Sequence, residues 1–232
     1  MHTLSHLLVI LLLAGLATIL PAQHRPASTA DPAINQPFLN ADFEQWVNIF
    51  ESPGRELYAK RHQVLQALDL QPGMKVVDLG TGTGFFALLF AQSVGHEGRV
   101  FALDISRPFV ENVARRAREA GFDNLEARVN PPDALDLPPR SLDMVFVADT
   151  YHHFEYPARM LASIHRALKS DGRLVVIDFH REPGHSSRWV LEHVRAGKDQ
   201  VIKEIEAAGF RLVKEPNVLA QSYFLLFRKV ID

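Results

Sequence analysis

From residue 75 onward, short runs in which nearly every residue is apolar alternate with longer stretches of helical character. A strand that is apolar on successive residues, as in "RLVVIDF", belongs to a parallel sheet covered on both faces. The runs predict strands over 75–79, 99–104, 125–129, 144–148 and 173–179. Helices are predicted over 86–94, 108–120, 157–168 and 187–208, with two more, 42–50 and 55–68, ahead of the first strand. This order predicts an α/β fold, a doubly wound Rossmann-like sheet. Near the end, "FRLVKE" and "SYFLLFRK" predict strands over 210–215 and 222–229. A parallel crossover needs about a dozen residues or more, and only six separate these two, so they pair antiparallel. The predicted sheet is therefore mostly parallel and ends in one antiparallel hairpin.

The N-terminus departs from this alternation. Residues 7–20 are an unbroken apolar run that as a helix spans about 21 Å, short of the roughly 30 Å hydrocarbon core of a bilayer. It reads as a signal-peptide core with cleavage after Ala22, and an uncleaved anchor is the alternative. Export is the expectation from a cleaved signal. An anchored chain would contact the membrane only through residues 7–20, and Arg25 after the run would favour a cytoplasmic domain. The segment 23–39, rich in Pro, Ala, Ser and Asn, reads as a linker, and 40–232 as one domain whose first helices form a lid.

Composition narrows the functional classes. With 232 residues, 47% of them hydrophobic, the chain is long enough for one domain with a sizeable core. A formal charge of -2 and the lack of any Lys/Arg run argue against nucleic acid as a partner. Cysteine is absent, which excludes disulfides, thiolate metal sites and a cysteine nucleophile.

The stretch "VVDLGTGTGFFALLFA" puts Asp78 at the end of a strand, then Gly80, Thr81, Gly82 and Gly84 ahead of an apolar helix. Such a turn is tight and lets a ligand approach the main chain. The dinucleotide pattern G-x-G-x-x-G has its third glycine five positions after the first, where Phe85 stands here. A phosphate loop would need a lysine after the glycines, and none follows. The next strand ends in "VFALDIS", placing Asp104 twenty-four residues after Gly80, where a carboxylate can accept ribose hydroxyls.

Together, "DLGTGTG" and "ALDIS" resemble the first two motifs of class I S-adenosylmethionine-dependent methyltransferases, and the terminal hairpin agrees with that family's sheet. The resemblance covers about residues 55–229. It implies S-adenosylmethionine as cofactor, with Asp78, Gly80, Thr81, Gly82 and Gly84 around its methionine half. It puts Asp104 and Ile105 on the ribose and adenine, and Asp133, with Asp136 as competitor, on the adenine amino group. Tyr58, with Arg55 or Arg61, would meet the cofactor's carboxylate. "SLDMVFVADTYHHF" resembles the fourth-strand motif, which brings Asp149 to His153 beside the reactive methyl group.

The fourth and fifth strands end in "DTYHHF" and "DFHREPGH", so Asp149, Tyr151, His152, His153, Asp178, His180 and Arg181 converge outside the carboxyl ends of the strands. His152, His153, Tyr151 and Asp149 are the catalytic candidates, as groups that position an acceptor and remove its proton. Asp149, Asp178 and a nearby histidine fit a hard-metal set only partly. Catechol-type methyltransferases carry an Asp-Asn pair where this chain has Asp178-Phe179, and no metal is assigned. His193, Arg195 and Lys198, near a glycine break, are expected to help shape the acceptor pocket. The expected activity is methyl transfer to a small-molecule acceptor. The rivals are a non-catalytic nucleoside-binding protein and an NAD-dependent oxidoreductase. The acceptor's identity and the oligomeric state stay open.

Overall fold

The computed structural model describes residues 30–230. The signal or anchor expected at 1–22 lies outside the described residues, as does the first part of the segment read as a linker. Among the described residues, no helix is long and apolar enough to cross a membrane.

Seven strands form one sheet: β1 (Lys75–Leu79), β2 (Arg99–Asp104), β3 (Leu125–Val129), β4 (Leu142–Ala148), β5 (Leu168–Phe179), β6 (Phe210–Lys214) and β7 (Ser222–Lys229). Their order is β3-β2-β1-β4-β5-β7-β6. The first five run parallel, and β7 lies antiparallel to both β5 and β6. Successive strand residues face opposite sides. Val145 and Val147 enter one core with Leu79, Leu174 and Leu225. Met144 and Phe146 enter the other with Val76, Val100, Phe224 and Leu226. Two buried faces are the physical reason why these strands read as unbroken apolar runs.

Among the described residues, nine helices lie around the sheet: α1 (Gln36–Leu39), α2 (Phe43–Phe50), α3 (Glu56–Ala59), α4 (Arg61–Leu68), α5 (Phe85–Val94), α6 (Arg107–Glu119), α7 (Pro157–Ala167), α8 (Arg188–His193) and α9 (Lys198–Ala207). Two helices predicted as continuous are divided. The stretch 55–68 breaks at Lys60, and 187–208 breaks over 194–197, where Val194 turns extended and Gly197 precedes α9. That second break lets Arg195 fold back onto Glu204, with two bonds of 3.0 and 2.8 Å.

The segment 23–39 also differs from its linker reading in its described part. Asp31 accepts from the Ala33 amide at 2.9 Å and caps a 3-10 turn, Pro32–Asn35, which runs on into α1. Asn35 is buried, and the Phe38 ring packs tilted against Trp46, 4.7 Å between centroids. Proline in the first turn has no amide hydrogen to lose, so the same residues that suggested a linker start a short helix instead.

Candidate active site

The sheet's strand order reverses between β1 and β4, and a crevice opens at such a switch point, beyond the carboxyl ends of the strands. Here it is a cavity of about 630 Å³, within the range of small-molecule sites. Its walls hold two chemically different ends.

At one end is the glycine turn. Gly80 and Gly82 both have positive φ, +73° and +53°, a region other residues adopt only at a cost. A Cβ on Gly82 would come within 3.2 Å of the Phe50 ring, tighter than ordinary van der Waals contact, so a side chain there would press on that ring. Asp104 closes the turn: its Oδ2 accepts from the Gly82 amide and its Oδ1 from the Ser106 amide, each at 2.9 Å. Asp78 accepts from the Thr81 hydroxyl at 2.7 Å. Burial drives both carboxyls upward, Asp104 to about 6 and Asp78, with the charge of Asp104 nearby, to about 7.

The other end holds histidines. The turn after β4 is a 3-10 helix, Tyr151–His153, in which three successive side chains point about 120° apart. His152, only 3% exposed, donates its backbone amide to Asp178 Oδ2 at 3.1 Å, and its Nδ1 lies 2.8 and 3.0 Å from the two Asp178 oxygens. Its Nε2 is buried with no partner. Burial disfavours the charged imidazole, but the carboxylates of Asp178 and Asp149 outweigh it and raise His152 above the ordinary histidine value. His153 Nδ1 lies 3.1 Å from the Asn35 Oδ1, and burial pushes this ring down to about 2. His193, at the end of α8, makes edge contacts with both rings at 5.2 Å and is lowered by burial and by His152. Asp149 sits between the two ends with φ +47°. Its Oδ2 accepts from Arg55 Nη2 at 2.5 Å, while its Oδ1 is buried without a partner.

The sequence candidates divide by location. Asp78, Gly80, Thr81, Gly82, Asp104 and Ile105 line the cavity, as do Asp149, His152 and His153. Of the catalytic and cofactor-binding candidates four lie elsewhere, and His180, Arg181, Arg195 and Lys198, expected at the crevice or the acceptor pocket, are off the cavity wall too. Tyr151 is turned into the core, where its hydroxyl donates to Glu204 Oε2 at 2.9 Å and its ring meets Phe154. The 3-10 turn cannot aim three successive residues the same way, and the inward position went to the large ring. Gly84 faces away as well, since its absent Cβ makes room for Val113, which would be 2.7 Å off, so this glycine serves helix packing. Asp133 pairs with Arg159 at 2.8 Å, and Asn130 and Pro132 occupy the wall in its place. Tyr58 lies under the Arg61 guanidinium at 4.1 Å and against Phe85, leaving Arg55 and Leu57 on the wall.

Residues that sequence reasoning passed over complete the site. Asn35 and Phe38 come from the segment read as linker, Trp46 and Phe50 from α2, Phe109 from α6, Phe179 from the end of β5 and Trp189 from α8. Only the amphipathic pattern of α2, with its aromatic residues at 43, 46 and 50, carried a signal for this aromatic wall.

Replacing Tyr151 with Phe tests its placement. The variant should lose about 0.5–1.5 kcal/mol of stability with the Glu204 hydrogen bond, measured by denaturant unfolding, and keep wild-type turnover. A large fall in turnover at unchanged stability would return Tyr151 to the site.

An apolar-walled crevice at a switch point, with a glycine turn and a strand-end carboxylate at one end and an acid-histidine face at the other, is the arrangement of a nucleoside-binding site in the doubly wound class. Comparison with known proteins agrees. Residues 70–215 match the methyltransferase-domain family model, and the chain belongs to that family. A ubiquinone/menaquinone biosynthesis C-methyltransferase from a Shewanella species is 31% identical over 147 residues, 63% of this chain and 58% of that relative. The matched part thus spans little more than half of the relative's length. Nocamycin O-methyltransferase from Saccharothrix syringae is 27% identical over 169 residues, 72% of this chain and 60% of the relative. A SAM-dependent methyltransferase from Aquifex aeolicus superposes with a TM-score of 0.73 at 26% identity, over 82% of this chain and all of its own, 100%. S-adenosylmethionine is the cofactor of this protein.

The residues present fit that group. S-adenosylmethionine carries a sulfonium and an amino group, and four buried carboxylates, Asp78, Asp104, Asp149 and Asp178, stand at the strand ends. Of these, Asp149 is paired with an arginine. A cationic ligand relieves the cost of burying such charges.

Proposed function

We propose that the protein transfers the methyl group of S-adenosylmethionine to a small organic acceptor held against the histidine face of the cavity. The observation that carries this reading is the continuity of the cavity from the Asp104 and glycine end to His152, His153 and His193. When bound, the cofactor supplies an electrophilic methyl group. The protein's share is placement and proton handling. Asp104 and the Gly82 turn hold the nucleoside. Phe38, Trp46, Phe179 and Trp189 exclude water and favour an apolar, flat acceptor. The histidine face receives the acceptor's reacting oxygen or acidic carbon. The two relatives named above, one from ubiquinone/menaquinone biosynthesis and one named for nocamycin, support a small-molecule acceptor.

The test is incubation of the protein with S-adenosylmethionine and a panel of phenolic, quinol and keto-acid acceptors, with S-adenosylhomocysteine and methylated product followed by mass spectrometry. Equal amounts of the two products support the reading. Saturable cofactor binding with no S-adenosylhomocysteine from any acceptor or cell extract would make the protein a binding module. Binding of NAD(H) in preference would make it an oxidoreductase.

Cofactor affinity should depend on pH through the glycine end. Both folded-state values, about 6 for Asp104 and about 7 for Asp78, lie above the ordinary aspartate value of 3.8. Without ligand, these two groups favour the folded state most in acid, and that contribution is lost as pH rises through about 6 and then 7. The ligand needs the charged carboxylates, so its affinity runs the other way. Calorimetric titration should show binding weakening as pH falls below 7, by up to about tenfold per pH unit between about 7 and 6 and up to about a hundredfold per unit below 6, where both carboxyls are protonated. A flat profile would separate these carboxylates from the cofactor.

A further inference from the structure

We propose that His152, His153 and His193 form a binding site for one divalent transition-metal ion, of the zinc and cobalt type, at the acceptor end of the cavity. One ring nitrogen from each of the three lies within 4.8 Å of the other two. Two of the rings are held in a defined tautomer. Asp178 accepts from His152 Nδ1, as above, so in the neutral ring, the form that binds a metal, the lone pair is on Nε2, the atom that is buried and without a partner. For His153 the assignment follows from Asn35. The Asn35 amide nitrogen donates to the His153 carbonyl at 3.2 Å and to Glu155 Oε1 at 3.0 Å, so its Oδ1 is the atom that faces the ring. That oxygen can only accept, so His153 Nδ1 carries the hydrogen and Nε2 the lone pair.

Two such lone pairs on adjacent rings, with a third imidazole beside them, repel one another unless a cation or donor lies between. A histidine whose far nitrogen is held by a carboxylate or carbonyl oxygen is also the usual arrangement of a metal ligand, because that bond orients the ring and makes the free nitrogen more basic. Asp178 and Asn35 fill those two supporting positions. Asp149 Oδ1, buried and unpartnered, adds negative charge nearby.

The donor set selects the ion. Three imidazole nitrogens and no thiolate suit Zn²⁺, Co²⁺ or Ni²⁺, whereas Mg²⁺ and Ca²⁺ require oxygen. Three histidines leave a fourth position open, as catalytic zinc sites do. Tetrahedral Zn–N bonds of about 2.0–2.1 Å place ligand nitrogens roughly 3.4 Å apart. The rings must close by up to about 1.4 Å. His193 can supply that movement, since it sits at the end of the six-residue α8, whose Trp189 is 54% exposed. Resting on the reading that this end of the cavity takes the acceptor, the open position would bind the acceptor's oxygen and orient it.

The experiment is a titration of the tag-free, chelator-stripped full chain with Co²⁺ alone, followed by visible absorption and by equilibrium dialysis, then competition with Zn²⁺. One ion per chain, with the intense visible bands of four- or five-coordinate cobalt displaced by Zn²⁺, is the expected result. His193→Ala should abolish those bands, and Asp178→Asn should weaken binding by about 10- to 100-fold. Circular dichroism and S-adenosylmethionine binding check that each variant is folded, and His193→Gln serves as the gentler change if alanine unfolds the chain. No saturable binding by the wild type, or equal binding by folded His193→Ala and His193→Gln, would overturn the proposal. Full methyl transfer by metal-free protein would overturn the ion's role in orienting the acceptor and keep the methyltransferase reading. A stoichiometric cobalt complex without turnover on any acceptor would keep the site and remove the acceptor reading.

Discussion

His152→Ala should lower methyl-transfer turnover by about 10²–10⁴-fold, the range for loss of a group that handles the reacting proton, while S-adenosylmethionine affinity stays within about twofold of wild type. The two effects separate because His152 is held by Asp178 on the β4–β5 side of the cavity, whereas Asp104 and Gly82 belong to the β1–β2 side. The His152 Nε2 is buried, has no hydrogen-bond partner among the described residues, and belongs to a residue of the cavity wall. It can therefore take the acceptor's proton or hold the proposed ion, and the variant loses either role. Asp178→Asn probes the same unit through its support. The carboxamide can keep one contact to Nδ1 but cannot hold the ring with a charge, so turnover should fall less than in His152→Ala. Single-turnover kinetics and cofactor titration on the same preparations decide the matter. Equal losses of affinity and turnover would mean that His152 supports the cofactor end, and full turnover in His152→Ala would remove it from the chemistry.

The divided legibility of this site has physical causes. The cofactor end was readable because it is local: strand, glycine turn and strand-end acid lie within residues 75–106, and each residue type is demanded by backbone geometry or by hydrogen bonding. The sheet order and the closing hairpin were equally readable, because double-sided burial and loop length leave few alternatives. The acceptor end is assembled from distant parts. Asn35 meets His153 across 118 residues of chain, and His193 arrives from α8. No local pattern reports such meetings. Asp133 and Tyr151 show a further limit, since sequence supplies a candidate's neighbourhood but a 3-10 turn or an ion pair with Arg159 decides where its side chain points. The linker reading of 23–39 failed to anticipate α1 because polar, proline-containing composition describes both a loop and the first turn of a capped helix.

Asp104→Ala should weaken S-adenosylmethionine binding by about 1–3 kcal/mol, the usual result of leaving buried hydrogen-bonding groups without a partner, or about 5- to 150-fold in Kd. Two causes act together. The carboxylate that would accept the ribose hydroxyls is gone, and the amides of Gly82 and Ser106 lose the acceptor that fixes the turn. The second cause also affects the empty protein, so thermal unfolding must be measured beside calorimetric binding, and only the affinity loss that remains in a folded variant counts. Asp133→Ala is the matched control. The family resemblance gives that acid a contact with adenine, but the structure pairs it with Arg159 at 2.8 Å, off the cavity wall. Its removal should change affinity by less than about twofold, in line with the small worth of partly exposed ion pairs. A large loss in Asp133→Ala together with a small one in Asp104→Ala would place the nucleoside over the β3–β4 connection instead of the glycine turn. The reverse order, with both variants folded, fixes Asp104 as the cofactor's main polar anchor.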